Sequence, residues 1–123
     1  MSVTAAQGFR AAGVAAGIKP AGLDLALVVN DGPSDAVAAV FTTNRVKAAP
    51  VIWSQQAVAD GRLRAVVLNS GGANACTGPG GFADTHAAAE RVAAVLGVGA
   101  GDARQHRRHA RPEPGHHVER LND

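Results

Sequence analysis

The ten residues from Asn69 to Gly78, Asn-Ser-Gly-Gly-Ala-Asn-Ala-Cys-Thr-Gly, gather the side chains of this sequence best suited to chemistry. Two carboxamides, two hydroxyls and a thiol stand close together, separated only by small residues. Glycines in such a loop admit positive φ and let backbone N–H groups approach a ligand. Asn69, Asn74, Cys76, Thr77 and Gly78 are therefore the candidate site-adjacent residues. Asn69, Asn74 and Thr77 can touch a substrate or shape the wall of a site. The same groups commonly hydrogen-bond a loop to itself, and that is the stronger reading. Cys76 would need a neighbouring base to serve as a nucleophile, and no His is placed beside it by sequence; it reads as a small structural thiol. Neither GxxxxGK[ST] nor GxGxxG spacing is present, so a phosphate cradle is not indicated.

The loop needs a strand to deliver it and a helix to receive it. Arg64 to Asn69 contains the apolar run Ala65-Val66-Val67-Leu68 and reads as a buried strand. Phe82, Thr85, Ala89, Val92 and Leu96 step by three and four, which makes one stripe of a helix from Phe82 to Leu96. Asp84 would lie in its first turn, at the positive end of the dipole, and Gly97 and Gly99 would end it. Upstream, Gly8 to Lys19 reads as a strand or hairpin, with Gly13 and Gly17 allowing bends. Leu23 to Val29 is a second strand, Asn30 to Asp35 a turn cluster, and Val37 to Thr42 the returning strand of a hairpin. After the polar break Thr43 to Lys47, Pro50 opens a short element. Ser54 is a candidate N-cap for a helix over Gln55 to Ala59, closed by Asp60-Gly61. Lys19, Arg45 and Lys47 read as solvated charges.

Composition bounds the function classes. At 123 residues the chain is at most one domain, with 46% apolar residues but only 3% aromatic. A core of Ala, Val, Leu and Ile leaves few rings for base stacking, which argues against a single-strand nucleic-acid binder. The net charge is +2; residues 1–101 hold seven Lys/Arg against six Asp/Glu, so no basic face is built. A single cysteine excludes an internal disulfide and fits a reducing compartment. No apolar run reaches the roughly 18 residues of a membrane span, and the first residues lack the pattern of a secretory signal. A cytoplasmic location is expected.

Beyond Asp102 the pattern changes. Residues 103–123 hold five Arg and four His, show neither strand nor helix period, and offer little to bury. Such a segment is expected to be disordered. His106, His109, His116 and His117 lack a scaffold that would organise a metal site, and the arginines are interspersed with acids, so neither metal nor nucleic-acid binding is assigned.

Four stretches in order, GFRAAGVAAGIK (Gly8–Lys19), DLALVVNDGP (Asp24–Pro33), VFTTNRVKAAPV (Val40–Val51) and RAVVLNSGGANACTG (Arg64–Gly78), followed by the helix GFADTHAAAERVAAVLG, resemble the start of the ornithine acetyltransferase family, the bifunctional glutamate N-acetyltransferases of arginine biosynthesis. The resemblance covers about residues 7–102. It implies an α+β fold, the N-terminal portion of a mixed αββα sandwich, with residues 1–102 as an incomplete domain and 103–123 as a tail. It implies transfer of an acetyl group from N-acetylornithine to glutamate, with acetyl-coenzyme A as donor in some members and no resident cofactor. The partners it implies are small amino-acid substrates and self-cleaved subunits, with neither nucleic acid nor membrane. In the family a threonine exposed by self-cleavage is the nucleophile of a ping-pong reaction, and a Ser-Thr-Gly segment supplies oxyanion-hole donors.

This sequence departs from that pattern where the chemistry begins. The nucleophilic threonine lies downstream of anything present, and no Ser-Thr-Gly follows Gly101-Asp102. Read one base later, CGN arginine codons across Arg104-Gln105-His106-Arg107-Arg108 permit Val-Ser-Thr-Gly. The tail is accordingly expected to be out-of-frame sequence of a truncated or misread gene. An intact frame across codons 98–108, with nothing family-like downstream, would remove that expectation. No catalytic residue is assigned, and the chain alone is expected to be inactive and to expose an uncovered sheet face that lowers its stability. The alternative is a non-catalytic binding or assembly protein that retains the family scaffold.

Overall fold

The computed structural model describes residues 2–72 and 74–98 with their side chains, and the backbone of residues 103–107. Its strands are β1 (Phe9–Val14), β2 (Leu25–Asn30), β3 (Ala65–Asn69) and β4 (Ala103–Arg107); its helices are α1 (Ala49–Ala57) and α2 (Gly78–Leu96), and a single 3-10 turn spans Val3–Ala5. The strands form one sheet in the order β1-β2-β3-β4. β1 and β2 pair antiparallel, as do β2 and β3, whereas β3 and β4 run parallel with α2 as the crossover. The α+β class expected from the sequence is what the structure has.

Side-chain alternation decides the faces. Leu25, Leu27 and Val29 stand opposite Asn69, Val67 and Ala65, so these six share one face. Leu27, Val29, Ala65 and Val67 are its buried core, and Val92 and Leu96 of α2 lie against them. Burying each of the larger side chains contributes about 1.5–3 kcal/mol. Ala26, Val28, Val66 and Leu68 occupy the other face and are only half-buried.

Helix α2 starts earlier than its apolar stripe suggests. It begins at Gly78, with Pro79 in its first turn, so Asp84 lies in the second turn rather than the first. Its fully buried positions are Gly81, Thr85, Ala89 and Ala93, every fourth residue; Phe82, Val92 and Leu96 are half-buried beside them. Small residues on the buried line let the helix approach closely. Gly97 ends it at φ 67°, as expected, with its N–H turned back to Ala93 and Ala94.

Three expectations upstream are corrected. Ser54 is no N-cap: α1 begins at Ala49, after Ala48, with Pro50 in the first turn, and Ser54 is buried within the helix. Proline's fixed φ and missing N–H suit that first turn, and they outweighed the hydroxyl signal. Val37 to Thr42 is not a strand; its neighbourhood contributes one isolated bridge, Ala36 with Arg62, because both edges of β2 are already taken by β1 and β3. Within the tail, Ala103–Arg107 extends the sheet as β4, since the outer edge of β3 offers unpaired backbone groups that any side chains can accompany. The remaining tail, 108–123, lies outside the described residues, and with it the expectations on His109, His116, His117, Arg108 and Arg111.

α1 meets α2 through aromatic rings. Trp53 stands edge-on to Phe82 at 6.0 Å and to His86 at 4.4 Å between centroids. Among the described residues no helix is long and apolar enough to cross a membrane.

Candidate functional site

The loop leaving β3 is lashed to the rest of the fold at both ends. Asp24, just before β2, is 3% exposed. Its carboxylate accepts the N–H groups of Ala16 at 2.6 Å, Ile18 at 2.6 Å and Lys19 at 2.9 Å. These bonds, that from Ala16 foremost, hold the Asp24 carboxyl below the usual carboxylate range despite its burial. The Asp24 carbonyl in turn accepts the Ser70 N–H at 2.8 Å. One residue thus joins the β1–β2 connection to the start of the loop. Gly71, at φ 133°, lies so close to that connection that a Cβ would stand 2.5 Å from Ile18 Cγ2. The sequence reading had assigned Asp24 no role, although a carboxylate between a glycine-rich segment and an apolar strand is well placed to gather backbone N–H groups.

Asn74 governs the other end. It is 2% exposed, and its Nδ2 donates to the Gly81 carbonyl at 2.8 Å and to Thr85 Oγ1 at 3.1 Å. Its Oδ1 accepts the Thr77 hydroxyl, and its carbonyl accepts the Ala49 N–H at 3.1 Å. Asn74 therefore ties the first turn of α1 to the first turns of α2. Thr85 Oγ1 also donates to the Gly81 carbonyl at 3.0 Å. Gly81 is required here: a Cβ would fall onto Thr77 Oγ1 and Asn74 Oδ1. Asn74 and Thr77 thus bond to each other within the loop, and Asn74 also reaches both helices. Neither Thr85 nor Gly81 had been foreseen as members of the network.

The remaining loop residues differ. Cys76 is exposed at φ 58°, and Gly78 is exposed at φ 62°. Asn69, the last residue of β3, is 8% exposed, and its Oδ1 is buried without a hydrogen-bond partner among the described residues. A buried acceptor left without a donor costs about 1–3 kcal/mol. Asn69 also borders an open groove of about 350 Å³ shared with Gly13, Leu23, Leu25, Leu68 and Ser70. That volume falls in the range of small-ligand clefts. Among the described residues no three His, Cys, Asp or Glu side chains group as a metal site.

This geometry can be set beside known proteins. The model of the ArgJ family matches residues 10–105. The arginine biosynthesis bifunctional protein ArgJ of Streptomyces coelicolor is 69% identical over 103 residues, which are 83% of this chain and 27% of that protein. The protein of the same description from Mycobacterium tuberculosis is 75% identical over 95 residues, 76% of this chain and 24% of its own length. The chain thus spans about a quarter of the length of the curated relatives it matches. Among solved structures, ornithine acetyltransferase from M. tuberculosis in complex with ornithine superposes with a TM-score of 0.82 at 66% identity, covering 84% of this chain and 56% of that one. The arginine biosynthesis bifunctional protein from Bacillus halodurans gives 0.80 at 37% identity, covering 85% and 55%. The fold is thus shared with these proteins over most of this chain's length, and the chain belongs to the ArgJ family.

Proposed function

We propose that this chain is the N-terminal part of an amino-acid acetyltransferase of arginine biosynthesis. The reaction is transfer of acetyl from N-acetylornithine to glutamate, with acetyl-coenzyme A as a second possible donor. The observation that carries the reading is the family match through residue 105, at identities of 69–75% to bifunctional ArgJ proteins. The mature enzyme is assembled from self-cleaved subunits. In support, this chain covers 56% of the solved mycobacterial chain but only 24% of the full-length mycobacterial protein. The cytoplasm, with small amino-acid substrates, is its place of action.

Within the reading, the chain's role is to position rather than to react. Asn74 and Thr77 hold the two helices together, and Asp24 holds the loop to the sheet. Asn69 is the loop residue we assign to the site wall, because it borders the groove and its Oδ1 has no partner among the described residues. β4 carries Ala-Arg-Gln-His-Arg where the family places its oxyanion segment. In this reading the reaction draws on such donors and on a nucleophilic threonine, neither of which residues 1–102 are assigned to supply.

A chimera tests this. Residues 1–102 are fused to the remainder of the M. tuberculosis relative, and acetyl transfer from N-acetylornithine to glutamate is assayed. The chimera is expected to turn over and the 123-residue chain is not; a folded, inactive chimera would refute the assignment. The lack of a Ser-Thr-Gly sequence beside an intact sheet favours one second reading, a non-catalytic protein on the same scaffold. Saturable binding of N-acetylornithine by the chain, together with an inactive chimera, would establish that alternative.

A further inference from the structure

The hydrogen bonds of Asp24 run to three separate segments. Its N–H donates to the Val14 carbonyl, at the end of β1, at 3.1 Å, and its carbonyl accepts the Ser70 N–H at 2.8 Å. Its carboxylate closes the β1–β2 connection, Oδ1 accepting from Ala16 and Oδ2 from Ile18 and Lys19. The connection so closed bears on the loop: a Cβ at Gly71 would stand 2.5 Å from Ile18 Cγ2 and 3.1 Å from the Ile18 carbonyl oxygen. Among the described residues no lysine or arginine lies within ion-pair distance of the carboxylate. A buried charge without a counter-ion is a costly way to close a turn. Charge-assisted bonds to fixed N–H groups, however, make a stiff joint.

That joint stands at the groove. Leu23 to Ala26 line the groove from the β2 side, and Leu68, Asn69 and Ser70 line it from the β3 side. Leu25 pairs with Asn69 in the sheet, and the bond from Ser70 to Asp24 continues the pairing one step into the loop. We propose that Asp24 is a positioning residue of the acetyl transfer, fixing through Ser70 and Gly71 where Asn69 stands in the groove wall. The proposal rests on the acetyltransferase reading and on the place given there to Asn69. Asp24 acts through these neighbours and not by contact with substrate, because its carboxylate faces N–H groups of its own chain. Its effect therefore falls on binding: a displaced wall weakens the contacts of the substrate, whereas the nucleophile, which residues 1–102 do not supply in this reading, stays where it was.

The test is steady-state kinetics at neutral pH in the chimera of residues 1–102 with the remainder of the M. tuberculosis relative, the folding of each variant being checked by circular dichroism. Asp24→Asn keeps the size of the side chain but turns an NH2 group toward N–H donors. It is expected to raise KM for N-acetylornithine about tenfold, with kcat within about twofold of wild type. A merely structural role would instead lower the fraction of active enzyme, and so kcat, with KM unchanged. Ile18→Ala loosens the contact on Gly71 at a half-buried position and leaves the carboxylate in place. It is expected to raise KM about threefold, and it is the deciding variant should the Asp24→Asn chimera not fold. An active wild-type chimera whose KM is unchanged in the folded variant overturns the proposal alone. An inactive wild-type chimera overturns the acetyltransferase reading, and the proposal with it.

Discussion

Replacing Gly81 with alanine should destabilise the chain, while the same replacement one residue earlier should stabilise it. A Cβ on Gly81 falls onto Thr77 Oγ1 and Asn74 Oδ1. Thr77 can yield only by giving up its bond to Asn74, whose side chain is buried. The orphaned acceptor costs about 1–3 kcal/mol. Displacing α2 to make room adds about 1–3 kcal/mol of overpacking. Against this, alanine is about 1 kcal/mol better than glycine inside a helix. The balance is a loss of about 1–5 kcal/mol, at about 4–8 °C of melting temperature for each kcal/mol in a domain of this size. Gly80 sits beside it in the same helix, exposed, with nothing within 4 Å of a Cβ. Gly80→Ala should therefore gain about 0.5–1 kcal/mol. Urea unfolding followed by circular dichroism, at one fixed protein concentration, reads both. If the two variants shift in the same direction, or if Gly81→Ala matches wild type, the close-approach argument fails.

Two further perturbations address the loop. The Asp24 carboxyl is held low by the Ala16, Lys19 and Ile18 N–H groups, so its ionised form favours the folded state. Its contribution is complete above the unfolded carboxylate value near about 4 and is lost as pH falls through the lower folded value. The urea midpoint of the wild type should drop on acidification in that window, and that of Asp24→Asn should start lower at neutral pH and drop less; parallel curves would refute the role given to Asp24. Asn69→Leu removes a buried acceptor that has no partner, so it should leave stability unchanged or raise it by up to about 1 kcal/mol. In the chimera the same change should raise KM for N-acetylornithine, and a destabilised variant with unaltered KM would place Asn69 in the structure rather than in the site.

Much of the local architecture was legible because its signals are local. β3 shows as four consecutive apolar residues, α2 as a stripe with period near 3.6, and its end as Gly97. The errors fell where a choice depended on distant segments. Ser54 carries the side chain of an N-cap, yet helix α1 had already begun at Ala49, where the Asn74 carbonyl receives the first N–H. Val37 to Thr42 has strand composition, but a strand exists only with a partner, and β2 pairs instead with β1 and β3. Ala103–Arg107 lacks strand composition and nevertheless joins the sheet through backbone groups at the edge of β3.

The sequence by itself determined the family, the α+β class and the position of the Asn69–Gly78 loop between strand and helix, because identity of motif and periodicity are properties of contiguous residues. Only the tertiary structure decided what each loop residue does. Asn69 and Asn74 are the same residue type in the same loop, one with an idle buried oxygen and the other bonded to three different segments. Whether a carboxamide is satisfied, whether Asp24 finds three N–H donors, and whether Gly81 has room for a methyl group depend on atoms brought from elsewhere in the chain, and the positions of those atoms exist only once the fold is made.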